Sequence, residues 1–104
     1  MTWTVSYTVD AEKDLIDIYD YIADILHSPS SAKKQTERIM DSINDLEYMP
    51  LRHKLYEHEP WHTKGLRVLS IDNYLAFYLP DESRKTVMII RIMYNRRDTK
   101  KHLR

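Results

Sequence analysis

The sequence predicts an α+β fold with the element order β-α-α-β-β-β, in which a helix hairpin packs on one face of a mostly antiparallel sheet. Two observations predict it. A short alternating stretch is followed by two long stretches with apolar residues at helical spacing, and three β-branched or aromatic stretches separated by turn residues come after them. The 104 residues suffice for one modest core, so we expect a single domain over residues 1–104.

The first strand and the first helix are predicted within residues 3–27. Trp3, Val5 and Tyr7 alternate with hydroxyl residues, which is the period of a half-buried strand. Asp10 then occupies the position expected of an N-cap, and the helix is predicted to run from about Ala11 to His27. Its inner stripe is Leu15, Ile18, Tyr19, Ile22, Ile25 and Leu26.

A second helix is predicted after the break at residues 28–31, where a serine can serve as its cap. Its inner stripe is Ala32, Ile39, Ile43 and Leu46, and it ends before Pro50. Because the link between the helices is short, we expect an antiparallel hairpin. The acidic side chains of the first helix are expected to form a solvated outer face: Glu12, Asp14, Asp17, Asp20 and Asp24.

The last three strands are predicted as an antiparallel meander. Residues 51–64 show no period and are interpreted as a loop, after which Gly65 opens the strand 66–71. Asp72-Asn73 forms a turn to the strand 74–79, and residues 80–83 form a turn to the strand 86–93. Two helices on one face leave the other face partly open. Candidates for that face or its rim are Arg67, Tyr74, Tyr78, Arg91 and Tyr94.

Composition and charge limit the function classes. The chain has no cysteine, which excludes disulfides and a cysteine nucleophile. Residues 1–60 hold 6 basic and 12 acidic residues (net −6), and residues 61–104 hold 10 basic and 4 acidic residues (net +6). The second half can present a basic face to nucleic acid or to an acidic protein; alternatively the two halves neutralise each other within the fold. We expect a cytoplasmic protein with neither a signal peptide nor a membrane span.

The end of the last strand is the main candidate site. Tyr94, Arg96 and Arg97 follow a β-branched run, so they stand on a rigid platform suited to an anion. Alternatively Tyr94 is a rim aromatic and the arginines are surface residues, one of them paired with Asp98. His53, His58 and His62 lie on the predicted loop at spacings that do not favour a metal site, so we expect neither a metal nor a cofactor.

Taken together, five segments resemble the RelE/ParE superfamily of toxins from type II toxin–antitoxin systems. They are Ala11-Glu-Lys-Asp-Leu-Ile-Asp-Ile-Tyr-Asp-Tyr-Ile22, the second-helix stripe closing at Pro50, Gly65-Leu-Arg-Val-Leu, Asn73-Tyr-Leu-Ala-Phe-Tyr78, and Arg91-Ile-Met-Tyr-Asn-Arg-Arg-Asp98. The resemblance implies one of two activities. RelE-like members cut mRNA in the ribosomal A site, whereas ParE-like members, known from plasmid stabilization, inhibit DNA gyrase. Both are neutralised in a hetero-oligomer by a cognate antitoxin.

If the chain is RelE-like, the resemblance implies catalytic roles for Arg67, Tyr94 and Arg97, with Arg96 and His102 as further candidates. One position departs from that pattern, because Leu75 stands where many ribonuclease members carry an arginine. The second strand is not lysine-rich and the net charge is zero, so we favour the ParE-like branch.

For the ParE-like branch, the residues expected to bind the target are Arg91, Arg96, Arg97, Lys100 and Lys101, with a basic tail over about 96–104. A third hypothesis is a non-toxic member that binds its antitoxin and helps to repress their shared promoter. We expect DNA gyrase, or alternatively the ribosome and its mRNA, as the target, and no membrane.

Overall fold

The computed structural model describes residues 2–95 and confirms the predicted architecture. Four strands form one sheet in the order β1-β4-β3-β2, and two long helices pack on one of its faces. The strands are β1 (Thr4–Tyr7), β2 (Arg67–Ile71), β3 (Tyr74–Asp81) and β4 (Thr86–Tyr94). The helices are α1 (Val9–Asp20), α2 (Pro29–Asn44) and the short α3 (Trp61–Lys64). β1 runs parallel to β4, and the other pairs are antiparallel, which confirms the predicted meander.

The first helix begins earlier than predicted. Its N-cap is Thr8 and not Asp10, because the Thr8 hydroxyl accepts a hydrogen bond from the Ala11 N–H at 3.0 Å. The same hydroxyl donates to the carbonyl of Ile90 at 2.9 Å, so this cap also joins the helix to β4. Alpha-helical geometry ends at Asp20 and a π-helical turn, Tyr21–Ile25, continues the helix.

Helix α2 follows after a sharp reversal at His27, whose φ of 54° is left-handed. Pro29 is the first residue of α2, where its missing N–H costs nothing. Ser28 occupies the N-cap position but its hydroxyl donates to Ser31 Oγ and makes no capping bond. The predicted inner stripe is buried as expected: Ala32, Ile39, Ile43 and Leu46.

The main core lies between the sheet and the two long helices. Ile39 and Ile43 of α2 meet Leu69, Ala76 and Ile89 of the sheet, and all are buried. Tyr78, predicted for the open face or its rim, lies instead in this core with no exposed surface. A β-bulge between Phe77 and Tyr78 shifts the register against β4 and accompanies that placement.

The opposite face of the sheet is less open than predicted. Residues 51–64, expected to be an irregular loop, include the last two residues of the 3₁₀ turn Pro50–Arg52 and all of helix α3. They bring Tyr56 and Trp61 against a second apolar cluster that contains Leu66, Phe77 and Met93. Leu55 also forms an isolated antiparallel bridge with Arg67, which places this segment along the free edge of β2.

Two turn predictions also need correction. Gly65 does not open β2; it closes α3 with a left-handed φ of 88°, a conformation that favours glycine. Pro80 and Asp81 are not turn residues, because they pair with Val87 and Thr86 and so belong to β3. Asp72-Asn73 is a turn as predicted, with Asp72 at a φ of 53°.

Candidate functional site

A groove of about 960 Å³ opens where the helix hairpin meets the C-terminal end of β4. We call it the tyrosine groove, because Tyr21, Tyr74 and Tyr94 contribute to its walls. Its other walls come from apolar and polar side chains of α1, α2, the π-helical turn and β4. The apolar ones are Ile18, Ile22, Leu26, Ile92 and Met93, and the polar ones are Asp14, Asp17, Ser31, Gln35, Asn73 and Arg91.

The π-helical turn shapes one wall of the tyrosine groove. The N–H of Leu26 donates to the carbonyl of Tyr21 at 3.1 Å, and the N–H of Ser28 donates to the carbonyl of Ile22 at 3.1 Å. Turns of this width are uncommon and are frequently found at functional sites. Here the wide turn leaves Tyr21 54% exposed and Leu26 55% exposed at the groove.

The opposite wall is built on an aromatic pair of neighbouring strands. Tyr74 of β3 and Tyr94 of β4 are register partners, and their rings meet edge to face with centroids 5.6 Å apart. Burial raises the pKa of Tyr74, and the nearby phenol groups of Tyr94 and Tyr21 raise it further. Tyr94 stays 51% exposed, so its ring is accessible to a partner.

An ion pair closes the groove beside β4. Asp14 of α1 accepts two hydrogen bonds from Arg91, Nε to Oδ2 at 2.7 Å and Nη2 to Oδ1 at 2.9 Å. Asp14 Oδ2 also accepts the backbone N–H of Ile92 at 2.9 Å. The hydrogen bonds from Arg91 to Asp14 raise the pKa of the guanidinium. Arg91, expected to bind the target, is therefore held by a carboxylate of its own chain.

Arg67 lies far from the tyrosine groove. It begins β2, where its Nη1 donates to the carbonyl of His53 at 2.6 Å while its Nε is buried with no hydrogen-bond partner. Arg67 pairs with Tyr78, whereas Tyr94 pairs with Tyr74. Since four residues span roughly 13 Å of strand, Arg67 lies beside the middle of β3 and stands about that far along the strand from Tyr94, which lies beside its first residue.

The surroundings of Arg67 hold an imidazole and a second arginine. Burial lowers the pKa of His53, and the charges of Arg52 and Arg67 lower it further. The hydroxyl of Tyr78 donates to the carbonyl of Pro50 at 2.6 Å, and burial raises its pKa to about 12. This cluster places an imidazole with a lowered pKa beside two arginines.

The face of the sheet away from the helices carries mostly uncharged strand residues. Cross-strand pairs there are Val68–Phe77, Ser70–Leu75, Leu75–Met93 and Leu79–Met88. Arg91, the partner of Phe77, is bound to Asp14 of α1 and lines the tyrosine groove, so it is not a free cation of this face. Within β2, β3 and β4 this face thus lacks a cluster of free cations.

Other predicted site residues fall outside the part of the chain that the structure describes. Arg96, Arg97, Lys100 and Lys101 lie beyond residue 95, as does His102. Within residues 2–95 no three His, Cys, Asp or Glu side chains converge as a metal site would require. None of the helices in that range is both long enough and apolar enough to cross a membrane.

Asp17 is exposed, as its place on the predicted acidic helix face implies, but Asp14, expected on the same face, is largely covered. Asp14 retains only 12% of its side-chain exposure because Arg91, 77 residues later, covers it. No local pattern marks such a pair. The sequence does contain a local signal for the groove. Tyr21 is an aromatic residue that lies among the acidic residues of the first helix, outside its apolar stripe.

Comparison with family models gives one match. Residues 5–99 match the family model described as ParE toxin of type II toxin-antitoxin system, parDE. A comparison with curated protein sequences gives no significant match.

Three solved structures share the fold. A chain of a chromosomal ParDE toxin–antitoxin system from P. aeruginosa superposes with a TM-score of 0.74 at 23% identity, over 91% of this chain and 98% of that one. A chain of the RelBE2 complex from Mycobacterium tuberculosis gives 0.66 at 23% identity, over 91% and 93%. A chain of the archaeal RelE–RelB complex from Pyrococcus horikoshii OT3 gives 0.62 at 18% identity, over 93% and 99%.

Proposed function

The chain belongs to the ParE toxin family of type II toxin–antitoxin systems, and from that membership we propose that it arrests bacterial growth by binding and inhibiting DNA gyrase. A cognate antitoxin neutralises it in a hetero-oligomer, and both act in the cytoplasm, where gyrase meets DNA. The toxin function follows from the family. Gyrase as the target, the antitoxin partner and the location are our proposal.

The observation that carries this proposal is the separation of the candidate catalytic groups. RNA cleavage by a RelE-like route needs a base, a leaving-group acid and cations within reach of one phosphate. Arg67 and Tyr94 stand about 13 Å apart along β3, on the two strands that flank it, and Arg91 is bound to Asp14. A toxin that works by binding needs no such convergence, so the geometry favours inhibition of a protein target.

The proposed contact surface for gyrase is the basic end of the chain, Arg96, Arg97, Lys100 and Lys101. Arg91 is left out of this surface, because Asp14 holds its guanidinium. These four residues follow β4, whose C-terminal end is paired with β3 up to Tyr94. A rigid strand fixes where the basic end begins, which favours a defined contact with an acidic surface.

A ribosome-dependent mRNA endoribonuclease is the second candidate function. The observation in its favour is the cluster at His53, where an imidazole with a lowered pKa lies beside Arg52 and Arg67. A neutral imidazole can take a proton from a 2′-hydroxyl and the arginines can hold a phosphate. In that case Arg67 is catalytic and contacts the phosphate that is cut, whereas Tyr94 and Arg97 contact other parts of the mRNA.

A supercoiling assay tests the proposal. The purified chain is added to DNA gyrase, relaxed plasmid and ATP, and a full-length variant with Arg96, Arg97, Lys100 and Lys101 changed to glutamine is the matched comparison. We expect the wild-type chain to block supercoiling or to accumulate cleaved plasmid, and the glutamine variant to need at least about tenfold more protein.

Unchanged supercoiling by a preparation that still arrests growth would overturn the gyrase proposal. Mapping cuts in translated mRNA would then test the second candidate function. A chain that neither arrests growth when expressed alone nor affects gyrase would support the hypothesis of a non-toxic, antitoxin-binding member.

A further inference from the structure

We propose that residues 49–53 form a pH-gated strap, which is closed over Arg67 while His53 is neutral and opens when the imidazole binds a proton. We call this segment the His53 strap; it comprises Met49, the 3₁₀ turn Pro50–Arg52 and His53. The inference concerns a conformational change of the chain itself and does not depend on gyrase, RNA or an antitoxin.

Two hydrogen bonds from the sheet hold the His53 strap in its closed position. The Tyr78 hydroxyl of β3 donates to the carbonyl of Pro50 at 2.6 Å, and Arg67 Nη1 of β2 donates to the carbonyl of His53 at 2.6 Å. Pro50 itself is fully buried. Both acceptors are backbone carbonyls of the strap, so one movement of this short segment breaks both bonds.

The closed position also has two features that oppose it. Met49 adopts a left-handed conformation, with φ 48° and ψ 55°, directly before Pro50, and this conformation costs free energy in a residue other than glycine. The Nε of Arg67 is buried and finds no hydrogen-bond partner among residues 2–95, and an unpaired buried donor destabilises the state that buries it. Opening relaxes Met49 and hydrates the guanidinium, which offsets part of the loss of the two bonds from the sheet.

The imidazole of His53 makes the closed position depend on pH. Arg52 Nε donates to His53 Nε2 at 3.3 Å, and an imidazole nitrogen accepts such a bond only while it carries no proton. Among residues 2–95, the charged groups that act on this imidazole are Arg52 of the strap and Arg67 of β2. Tyr78 of β3 meets the imidazole edge to face at 6.3 Å and stays neutral, because burial raises its pKa to about 12. Protonation therefore replaces a hydrogen bond with repulsion among three cations.

The direction of the pH dependence follows from proton linkage. Burial lowers the pKa of His53 in the closed strap, and the charges of Arg52 and Arg67 lower it further from the ordinary value of 6.5. In the open strap the imidazole is hydrated and its pKa returns towards that value, so the open strap binds the proton first as the pH falls. Closure is strongest above about pH 6.5 and weakens as the pH falls towards the lower pKa of the closed state.

Hydrogen exchange, measured by NMR on the isolated full-length chain, tests the proposal. The reporters are the Nε–H of Arg67 and the backbone N–H of Arg52, which donates to the carbonyl of Met49 within the strap. The N–H of Ala76, a fully buried residue of β3, reports on global unfolding. Protection factors are compared, because they remove the intrinsic pH dependence of exchange. Between pH 8 and 5 we expect both strap reporters to lose at least about threefold in protection, while Ala76 stays at least about tenfold more protected than either.

Three substitutions separate the proton on His53 from other causes. His53→Gln keeps an acceptor for Arg52 but cannot bind a proton, so the loss of protection between pH 8 and 5 should shrink to less than about 1.5-fold. His58→Gln, outside the strap, is the matched control and should keep the wild-type response. Met49→Gly relieves the left-handed conformation, so it is expected to raise protection of the strap reporters about twofold or more at pH 8 and to keep the pH response.

An equal loss of protection in wild type and His53→Gln would overturn the proposal, because the response would then come from another group. Equal protection of the Arg67 Nε–H and the Ala76 N–H would also overturn it, since Arg67 would then reach water only by global unfolding. If His53→Gln does not fold, loss of the pH response in His58→Gln or lower protection in Met49→Gly contradicts the proposal. Exchange is measured without gyrase and supercoiling without exchange, so either proposal can fail while the other stands.

Discussion

Asp14 and Arg91 form a two-bond ion pair that joins the middle of α1 to the end of β4. The carboxylate also holds the N–H of Ile92, so three hydrogen bonds of 2.7, 2.9 and 2.9 Å converge on one side chain. β1 ends at its pairing with Ile89, and beyond that point Asp14 takes the place of a neighbouring strand. This contact fixes the wall of the tyrosine groove and leaves Arg91 unavailable to bind another anion.

Asp14→Asn is expected to lower the free energy of unfolding by about 1–3 kcal/mol, because the amide leaves the guanidinium without its charged partner. Urea denaturation followed by circular dichroism measures the change. Asp17→Asn, three residues further along α1 on an exposed position, is the matched control and should stay within about 0.5 kcal/mol of wild type. Equal stability of Asp14→Asn and Asp17→Asn would show that the ion pair contributes nothing to the fold.

Thr8→Ala is expected to lower the free energy of unfolding by about 1–2 kcal/mol, since it removes both the α1 cap and the bond to Ile90. Asp10→Ala, at the position that the sequence pattern favoured as the cap, should cost less than about 0.5 kcal/mol. The same denaturation measurement on both variants decides between the two residues. A larger loss from Asp10→Ala would restore Asp10 as the effective cap.

The order of elements could be predicted because it depends on local periodicity. The apolar stripe of α2 and the β-branched and aromatic runs of β3 and β4 carry that information over short windows. The errors share a different cause. Thr8 caps α1 partly because Ile90 accepts its hydroxyl, and Tyr78 turns inward at a bulge where Pro50 accepts its hydroxyl. Asp14 likewise finds its partner 77 residues away. Such contacts between distant parts of the chain leave no periodic signal.

Tyr78→Phe is expected to lower the free energy of unfolding by about 1–2 kcal/mol. The substitution keeps the buried ring but leaves the carbonyl of Pro50 without the hydroxyl that donates to it at 2.6 Å. Tyr48→Phe, at an exposed ring beside the same segment, is the matched control and should change stability by less than about 0.5 kcal/mol. Indistinguishable stabilities would mean that water replaces the lost donor at Pro50.

Stability should fall as the pH drops below about 6.5, in part through His53. Burial and the nearby arginines lower its pKa in the folded state from the ordinary value of 6.5. The unfolded chain therefore binds the proton first, and stability is lost between pH 6.5 and the lower folded pKa. Denaturation curves of wild type and His53→Gln between pH 5 and 8 should converge as the pH falls, because the variant lacks this loss. Parallel curves would contradict the assignment, since all other imidazoles are present in both proteins.

Tyr94→Phe is expected to leave growth arrest and gyrase inhibition within about twofold of wild type. The ring that packs edge to face on Tyr74 remains, and only a hydroxyl at a half-exposed position is lost. Induced expression in cells and the supercoiling assay measure the two effects, with the folded fraction checked by circular dichroism. A ribonuclease that used this hydroxyl as its acid would lose about 10²–10⁴-fold in rate. Loss of growth arrest in a folded Tyr94→Phe protein would therefore support the ribonuclease function. The substitution keeps the ring and removes only the hydroxyl, so the lost activity would depend on the proton that the hydroxyl donates.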